Sequence, residues 1–357
     1  MTNALSLYLD ALRFCAALTV MLSHYVAGRY SGALLWRLMP YGRTAVLVFF
    51  VLSGFVIAWV TETRERTLEE YSLSRLARLY SVILPAFVLT AVLDNFGSAI
   101  DPRLYGPALA LSPAQSLLGY ALSAVFLGDS WGLAVLPGFN VPYWSLNYEA
   151  WYYVLFGAAT FLRGRRRMAA LAVAALLAGP KILLLFPVWL MGLAAWRWRR
   201  VLPARHGARL ALAASAAFVG LEALGGQSLF AQPAETPWLP FGYSAYDYII
   251  GALVALSIVG LANARLPMPA VAVEHLIRWL AGTTFGVYLL HYPLLNFFGT
   301  AVTGSPGEAA HALSVFALTL GTSIGLARVF ERRKRALKRS LEVALCALRG
   351  KGPRPAL

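Results

Sequence analysis

Cysteine and charge are scarce in this sequence. Its 357 residues include two cysteines, Cys15 and Cys346, which lie at opposite ends of the chain and in no CxxC or Cys/His pattern. We therefore expect neither a disulfide framework nor a zinc site. Charged residues make up 13% and apolar residues 59%, whereas a soluble domain has about 25% and about 45–50%. This balance excludes an ordinary soluble domain, and it also excludes a disordered chain.

The sequence has long apolar runs instead, and its mean hydropathy is +0.64. Because a membrane-spanning helix needs about 20 mostly apolar residues, the chain has room for about ten. The predicted fold class is all-α, a polytopic membrane helix bundle. The first run lacks a basic flank and an A-x-A cleavage site, so we expect a retained helix and not a signal peptide. The predicted spans are 11–27, 44–61, 79–95, 144–162, 168–180, 182–198, 208–225, 244–261, 279–299 and 309–328.

Basic residues give the bundle its predicted orientation. The net charge of +15 comes in short bursts between apolar runs, which is typical of cytoplasmic loops and not of a nucleic-acid-binding surface. If both termini are cytoplasmic and segment 115–128 does not cross, 25 of the 31 Lys and Arg residues fall inside. If it crossed, every later basic cluster would change sides. We therefore predict that 115–128 is a re-entrant or interfacial piece of an outer loop, 96–143.

This pattern predicts two parts, a membrane domain over 1–330 and a basic cytoplasmic tail over 331–357. The expected location is the inner (plasma) membrane, as a multi-pass protein. Membrane lipids are then its immediate surroundings, and no nucleic-acid partner is expected.

Two ionisable residues lie in the first predicted helix, where each costs about 2.5–3.5 kcal/mol on insertion scales. Arg13 and His24 are eleven residues apart, which is about 16 Å along a helix and brings both to one face. Asp10 is placed to cap this helix and to meet Arg13. A packed histidine and an arginine that reaches the interface would explain both positions without any chemistry.

Glu149, in PYWSLNYEAWYY, enters the membrane from the outer side at a depth similar to that of His24. A carboxylate beside a neutral histidine fixes its tautomer and raises its basicity, which is a common way to make a general base. We therefore predict a pair between His24 and Glu149, from depth alone. A bond from Glu149 to a backbone group or another helix is the alternative.

Two further pairs have the i, i+3 spacing that places side chains on one helix face. Arg75 and Arg78 begin the third span at its cytoplasmic end, where they can grip a phosphate. The topology rule alone would also place arginines there. Tyr288 and His291 precede Pro293, which predicts a kink. A structural hydrogen bond between helices is the alternative for this pair.

Ser53 and Gly54, in FFVLSGF, form a small-residue site where another backbone or a ligand chain can approach closely. Taken together, the candidates are divided by depth. The arginines gather on the cytoplasmic side and suit an anionic cytosolic metabolite. The predicted His–Glu base lies nearer the outside and suits removal of a proton from a hydroxyl. An acyl-CoA donor and an alcohol acceptor fit both halves of this description.

Five sequence patterns in this order resemble the acyltransferase-3 family of integral membrane O-acyltransferases. The resemblance covers roughly residues 6–330, and the order is what makes it specific. The patterns are LDALRFCAALTVMLSH, FFVLSGF, RLARL, PYWSLNYEAWYYVLF and FGVYLLHYPLL.

The resemblance implies an enzyme that transfers an acyl group, often acetyl, from acyl-CoA to hydroxyls of extracytoplasmic carbohydrate or glycolipid. Some members modify antibiotics or lipooligosaccharide signals instead. It implies a catalytic role for His24 with assistance from Arg13, and Glu149 matches the acidic position after the WSL pattern. Our hypothesis is that His24, paired with Glu149, deprotonates the acceptor hydroxyl, and that attack on the thioester is either direct or passes through an acylated His24. The resemblance also implies donor contacts by Arg75 and Arg78. We expect no bound cofactor and no metal. The supporting positions are Ser53, Gly54, Trp144, Tyr288 and His291.

Two departures from the family pattern qualify this picture. The first motif reads LDALRF, without the glycine that commonly follows its Asp or Arg. A fused SGNH-type domain, on which some members finish the transfer, is not seen. We therefore expect direct acylation of the acceptor or a separate extracytoplasmic partner. Acceptor choice is expected to lie in the outer loops 28–43, 96–143 and 226–243.

Other function classes are weaker. A secondary transporter or flippase of a lipid-linked sugar would show internal repeats and paired broken helices, and the sequence shows neither. A non-enzymatic subunit or channel scaffold would tolerate loss of His24 and Glu149. A serine hydrolase is disfavoured because no G-x-S-x-G pattern occurs.

Overall fold

The computed structural model describes residues 1–25, 41–106, 111–230, 245–305 and 307–349, and these form helices and no β-strand. The all-α prediction is confirmed for these ranges. Most of the predicted outer loops 28–43 and 226–243 lies outside the described residues, as does the end of the predicted tail. The α-helices are α1 (Asn3–Tyr25), α2 (Tyr41–Thr63), α3 (Leu68–Ile100), α4 (Pro113–Ala124), α5 (Trp144–Phe161), α6 (Gly164–Leu184), α7 (Phe186–Arg197), α8 (Ala204–Ala223), α9 (Ala245–Asn263), α10 (Val271–Ala281), α11 (Thr284–Ala301), α12 (Ala309–Arg332) and α13 (Lys334–Leu348), with a single helical turn at Gly226–Leu229.

Within the described ranges, six segments are long and apolar enough to cross a membrane, and each coincides with a predicted span. They are α1, α2, α3, α6, α9 and the run Ala309–Leu348, which joins α12 to α13. The other four predicted spans correspond to helices α5, α7, α8 and α11. Together with its composition, these helices indicate a multi-pass membrane protein.

Helix α2 lies at the centre of the bundle and owes its position partly to glycine. It packs on α7, and a Cβ on Gly54 would lie 2.1 Å from the carbonyl oxygen of Trp189. The contact is reciprocal, since a Cβ on Gly192 would lie 2.0 Å from the carbonyl oxygen of Val51. Of the two possibilities predicted for Gly54, the structure therefore has a neighbouring backbone and not a ligand chain.

The predicted tight turn near Gly179 is a kink inside a helix. Gly179 has φ +79° and ψ 168°, and α6 continues through Pro180 to Leu184 before α7 begins at Phe186. The boundary between the two predicted spans therefore lies a few residues later than expected. Proline is tolerated at position 180 because the kink at Gly179 already breaks the helical hydrogen bonding there. The N–H that proline lacks would have had no partner in the helix.

Segment 115–128 lies mostly in α4, a helix of 12 residues that starts with a capping box between Ser112 and Gln115. Twelve residues span about 18 Å, which is short of a hydrocarbon core of about 30 Å. As a single straight helix the segment is too short to cross. Its Leu117 and Leu118 side chains point outwards from the bundle.

The C-terminal residues fold as a helix that rests on the bundle. Helix α13 packs against α3, and Arg349 at its end forms an ion pair with Glu69 at 2.5 Å. Another helix, α10, precedes the predicted ninth span and packs on α1, where Arg278 bonds Asp10 at 2.8 Å and Ser6 at 3.0 Å. These contacts hold α13 against the start of α3 and α10 against the first turns of α1.

Candidate active site

Three neighbouring cavities share lining residues and form a series. The basic cavity, of about 950 Å³, lies between the end of α2, the start of α3 and α13. It shares Val56 and Arg78 with a second space, the middle cavity, of about 50 Å³. The middle cavity shares Val46 and Tyr288 with a third, the histidine cavity, of about 420 Å³. The middle cavity, or neck, is therefore the smallest of the three and adjoins both larger cavities.

The histidine cavity takes its name from His24, in the last turn of α1. The imidazole stacks on that of His291 at a centroid distance of 5.4 Å and meets the edge of Tyr292 at 4.9 Å. His291 is fully buried, and its Nδ1 lies 3.0 Å from the carbonyl oxygen of Val287. Because a carbonyl only accepts, Nδ1 carries the proton and donates. Its Nε2 is left as an acceptor that has no partner among the described residues.

A buried ion pair forms another wall of this cavity. Lys181 donates to Asp129 at 2.5 Å, and the two side chains are 1% and 5% exposed. Asp129 lines the histidine cavity together with Trp144 and Tyr148. Burial raises the pKa of the Asp129 carboxyl, and the hydrogen bond and charge of Lys181 oppose the shift. The cavity therefore presents an acidic group and aromatic faces beside an imidazole.

The segment that carries Asp129 has an unusual backbone. Three non-glycine residues near it, Phe126, Trp131 and Ala134, have φ between +51° and +59°. Such left-handed conformations are costly for residues with a Cβ and persist only where the surroundings fix them. Here the Trp131 indole N–H donates to the carbonyl of Leu176 at 2.6 Å. The wall of the histidine cavity is thus held by contacts to α6.

The middle cavity is built around the carboxylate of Glu149. It accepts hydrogen bonds from the Ser53 hydroxyl at 2.8 Å and from the Tyr153 hydroxyl. Arg13 and Arg78 line the same space. One carboxylate and two guanidinium groups thus line the same small space inside the bundle, where their opposite charges partly offset each other.

The predicted pair between His24 and Glu149 is wrong. Glu149 bonds Ser53 and Tyr153 in the middle cavity, whereas the ring contacts of His24 are to His291 and Tyr292. Depth alone misled the prediction, because side chains at a similar depth are neighbours only where their helices pack together, and the His24 ring faces α11. Glu149 lies in the second turn of α5, and its side chain contacts Ser53 of α2 instead.

Arg13 lines the middle cavity, but Asp10 does not cap α1. The helix begins at Asn3, so Asp10 lies in its interior. The expected contact with Arg13 is present at 3.5 Å, and the second Asp10 oxygen is bound by Arg278 at 2.8 Å. Asp10 therefore links α1 to α10 and leaves Arg13 facing the middle cavity.

The two arginines of the RLARL pattern differ in their surroundings. Arg75 is buried, and one of its terminal nitrogens lies 2.5 Å from both oxygens of Glu65. Arg78 lines the basic cavity and the middle cavity at once. Of the two, Arg78 is the one placed at the opening between the two spaces, and Arg75 is held beside it by Glu65.

The remaining predicted positions surround the junction of the middle and histidine cavities. Tyr288 lines both, and its hydroxyl bonds the Ser145 hydroxyl at 2.5 Å and donates to the carbonyl of Pro142 at 3.1 Å. Trp144 lines the histidine cavity and packs edge-on against Tyr148. Tyr288 therefore sits between His24 on one side and the arginines on the other.

Sequence reasoning missed four polar side chains of the site, which are Asp129, Tyr148, Tyr153 and Lys181. Lys181 falls between the predicted spans 168–180 and 182–198, so the sequence places it in an outer loop. A lysine beside Gly179 and Pro180 in an apolar run was the available signal that it is buried and paired. Tyr153 is one helical turn after Glu149, so its partner could have been inferred from the i, i+4 spacing.

Residues 6–328 match the model of the acyltransferase-3 family, described as an acyltransferase domain. The chain belongs to this family. The chain is 31% identical over 155 residues to a relative named acyltransferase MdmB, from Streptomyces mycarofaciens. That stretch is 42% of this chain and 37% of the relative, so the chain matches little more than a third of the relative's length. No solved structure matches the chain. Family and relative support acyl transfer as the class of reaction.

Proposed function

We propose that this acyltransferase-3 protein transfers an acyl group, in the first place acetyl, from cytosolic acyl-CoA to a hydroxyl of an extracytoplasmic carbohydrate or glycolipid. The observation that carries the proposal is the series of three cavities. Cations line one end, a histidine with stacked partners lies at the other, and Arg78 and Tyr288 mark the two junctions. Such a path suits a long, anionic donor that must meet its acceptor inside the bundle.

On the donor side, Arg78 binds a phosphate or the polar arm of CoA at the opening of the neck. A guanidinium suits this role because its fork of donors matches phosphate oxygens. Arg75, fixed by Glu65, adds positive charge beside it. The thioester then lies in the middle cavity, between Arg13, Glu149 and Tyr288. The neck is narrow, so binding of the donor arm requires its apolar walls to separate.

On the acceptor side, His24 takes the proton from the acceptor hydroxyl. The oxygen attacks the thioester carbonyl, the new C–O ester bond forms, and the C–S bond breaks. The CoA thiolate leaves with the bonding electrons of the C–S bond and takes up the proton that the imidazolium carries. His291 and Tyr292 position His24 by packing against its ring. Base assistance of this kind contributes about 10²–10⁴-fold to the rate.

Glu149 has a different role from the one its sequence position predicted. It fixes Ser53 and Tyr153, and its charge offsets those of Arg13 and Arg78 in the neck. Without it, two guanidinium groups would line this space with no carboxylate among the other described lining residues. We therefore assign Glu149 to positioning and charge balance, and the general base to His24 alone.

The orientation in the membrane belongs to the same proposal. Ten crossings with both termini cytoplasmic place 25 of the 31 basic residues inside. The basic cavity then faces the cytosol and the histidine cavity lies towards the outer side. The plasma membrane is the proposed location, and the acyltransferase domain over 1–330 is followed by the cytoplasmic segment 331–357. No bound cofactor is needed, since acyl-CoA is a substrate.

Sealed vesicles of known orientation test this function. Radiolabelled acetyl-CoA supplied to the cytoplasmic face should label a lipid-linked glycan or a surface carbohydrate in wild-type vesicles. The same donor supplied to the outer face should label nothing. Vesicles that contain the His24→Ala variant should lose the label. As a control, the His275→Ala variant removes an exposed histidine outside the three cavities, and its vesicles should keep the label. Labelling from the outer face alone would overturn the proposed path, and carbohydrate transport without labelling would favour a flippase.

A further inference from the structure

Helix α13 lies beyond the matched family region, which ends at residue 328. Nevertheless, one face of α13 lines the basic cavity. The positions recur at helical spacing, so they share a face directed at α3. The lining residues that α13 contributes are Lys334, Arg335, Lys338, Arg339, Glu342, Val343 and Cys346.

Like charges are stacked along this face. Lys334 and Lys338 are i, i+4 neighbours, and so are Arg335 and Arg339. Such pairs destabilise a helix by a few tenths of a kcal/mol each. No ion pair joins Arg335 or Arg339 to an acidic residue within the described ranges, and neither side chain is buried. These two arginines therefore carry positive charge that no ion pair between described residues offsets on this face.

Among the described residues, four acidic side chains line the cavity against seven Lys and Arg residues, so they do not neutralise it. Glu342, on α13 itself, pairs with Lys338 at 3.9 Å. Glu65 is bound to Arg75, and Glu69 forms its ion pair with Arg349, which is not a lining residue. Glu70 accepts the backbone N–H of Arg66. With Arg64 and Arg78 on the opposite wall, cations surround a space of about 950 Å³ on several sides. This is the electrostatic arrangement of a site for a polyanion.

We infer that the basic face of α13 completes the donor site by binding the 3′-phosphate of CoA through Arg335 and Arg339. The inference rests on the proposed function and extends it to a helix outside the family match. Arg78 marks the way into the neck, so the thioester arm points there. The phosphorylated adenosine is then left at the outer part of the basic cavity, against α13.

An anionic lipid headgroup has the same phosphate chemistry, and a basic amphipathic helix can also bind a membrane surface. The two sources differ in one respect. CoA and dephospho-CoA differ only by the 3′-phosphate, so only a nucleotide site distinguishes them. Lipid binding instead depends on the headgroup charge of the bilayer.

The test measures binding of CoA and of dephospho-CoA to the full chain in nanodiscs of phosphatidylcholine, and again in discs that contain phosphatidylglycerol. Wild-type protein should bind CoA more tightly than dephospho-CoA. In Arg335→Gln/Arg339→Gln, affinity for CoA should fall on the order of tenfold or more, since hydrogen bonds to charged groups are lost. Affinity for dephospho-CoA should stay unchanged, so the preference disappears in both kinds of disc.

The matched control removes the same number of charges from neighbouring positions. Arg332→Gln/Arg333→Gln, outside the cavity lining, should keep the preference for CoA. A preference retained by the α13 variant would overturn the inference, as would an effect seen only in phosphatidylglycerol discs, which would assign the face to lipid. Binding and turnover are separate measurements. If the protein binds CoA with the expected preference but transfers no acyl group, the proposed function fails and the inference about α13 stands.

Discussion

The ion pair between Asp129 and Lys181 offers the sharpest test of the histidine cavity's wall. Lys181→Met removes the ammonium and leaves a carboxylate whose side chain is 5% exposed, with the partner atoms originally 2.5 Å apart. Breaking a buried pair by removal of one partner costs about 3–5 kcal/mol, because the remaining charge is uncompensated. We expect the free energy of unfolding to fall by about that amount.

The double variant Asp129→Asn/Lys181→Met separates charge from packing. With both charges gone, a neutral amide can keep the hydrogen bond from Tyr148, and the apolar Met can fill the space of Lys181. The double variant should therefore recover most of the loss. Unfolding in mixed micelles of increasing SDS content, followed by tryptophan fluorescence, measures both. A loss below about 1 kcal/mol in Lys181→Met, or a double variant no more stable than the single one, would refute the buried pair.

Two further predictions concern helix contact and charge in the neck. Gly54→Ala places a Cβ against the carbonyl of Trp189, and the overpacking should cost about 1–3 kcal/mol and lower the thermal unfolding temperature. The control Gly321→Ala adds a Cβ in open space and should not lower it. Equal unfolding temperatures for the two variants would contradict the close contact between α2 and α7. Glu149→Gln should leave the protein folded and reduce acyl transfer by on the order of tenfold, because Arg13 and Arg78 lose the carboxylate that lines the middle cavity with them. An unchanged kcat would exclude that role.

The sequence was sufficient for much of the fold because membrane helices follow simple rules. Apolar run length located the helices, and those that meet the length and composition of a span fall where spans were predicted. Helix ends were less predictable: α1 begins at Asn3, eight residues before its predicted start, because its first two turns are stabilised by packing against α10. The amphipathic helices α10 and α13 were not predicted as separate elements, since neither has a long apolar run.

The candidate site shows where such rules stop. Spacing on one helix was a sound guide, and Tyr288 and His291 do lie on one side, with ring centroids 6.3 Å apart. Contacts between helices were not available from depth, which is why Glu149 was assigned to His24 and not to Ser53 and Tyr153. Which helices are neighbours depends on close-packed surfaces such as that of Gly54 against α7, and such surfaces could not be identified from the sequence alone.

The central claim is that His24 is the base of the acyl transfer, and turnover of purified His24→Ala tests it most directly. The rate of thiol release from acetyl-CoA is measured for the variant and for wild type, in the presence of the acceptor that becomes labelled in the vesicle experiment. CoA binding is measured on the same samples. We predict a rate lower by about 10²–10⁴-fold, with CoA affinity unchanged. A folded His24→Ala protein that turns over within tenfold of wild type would contradict the account.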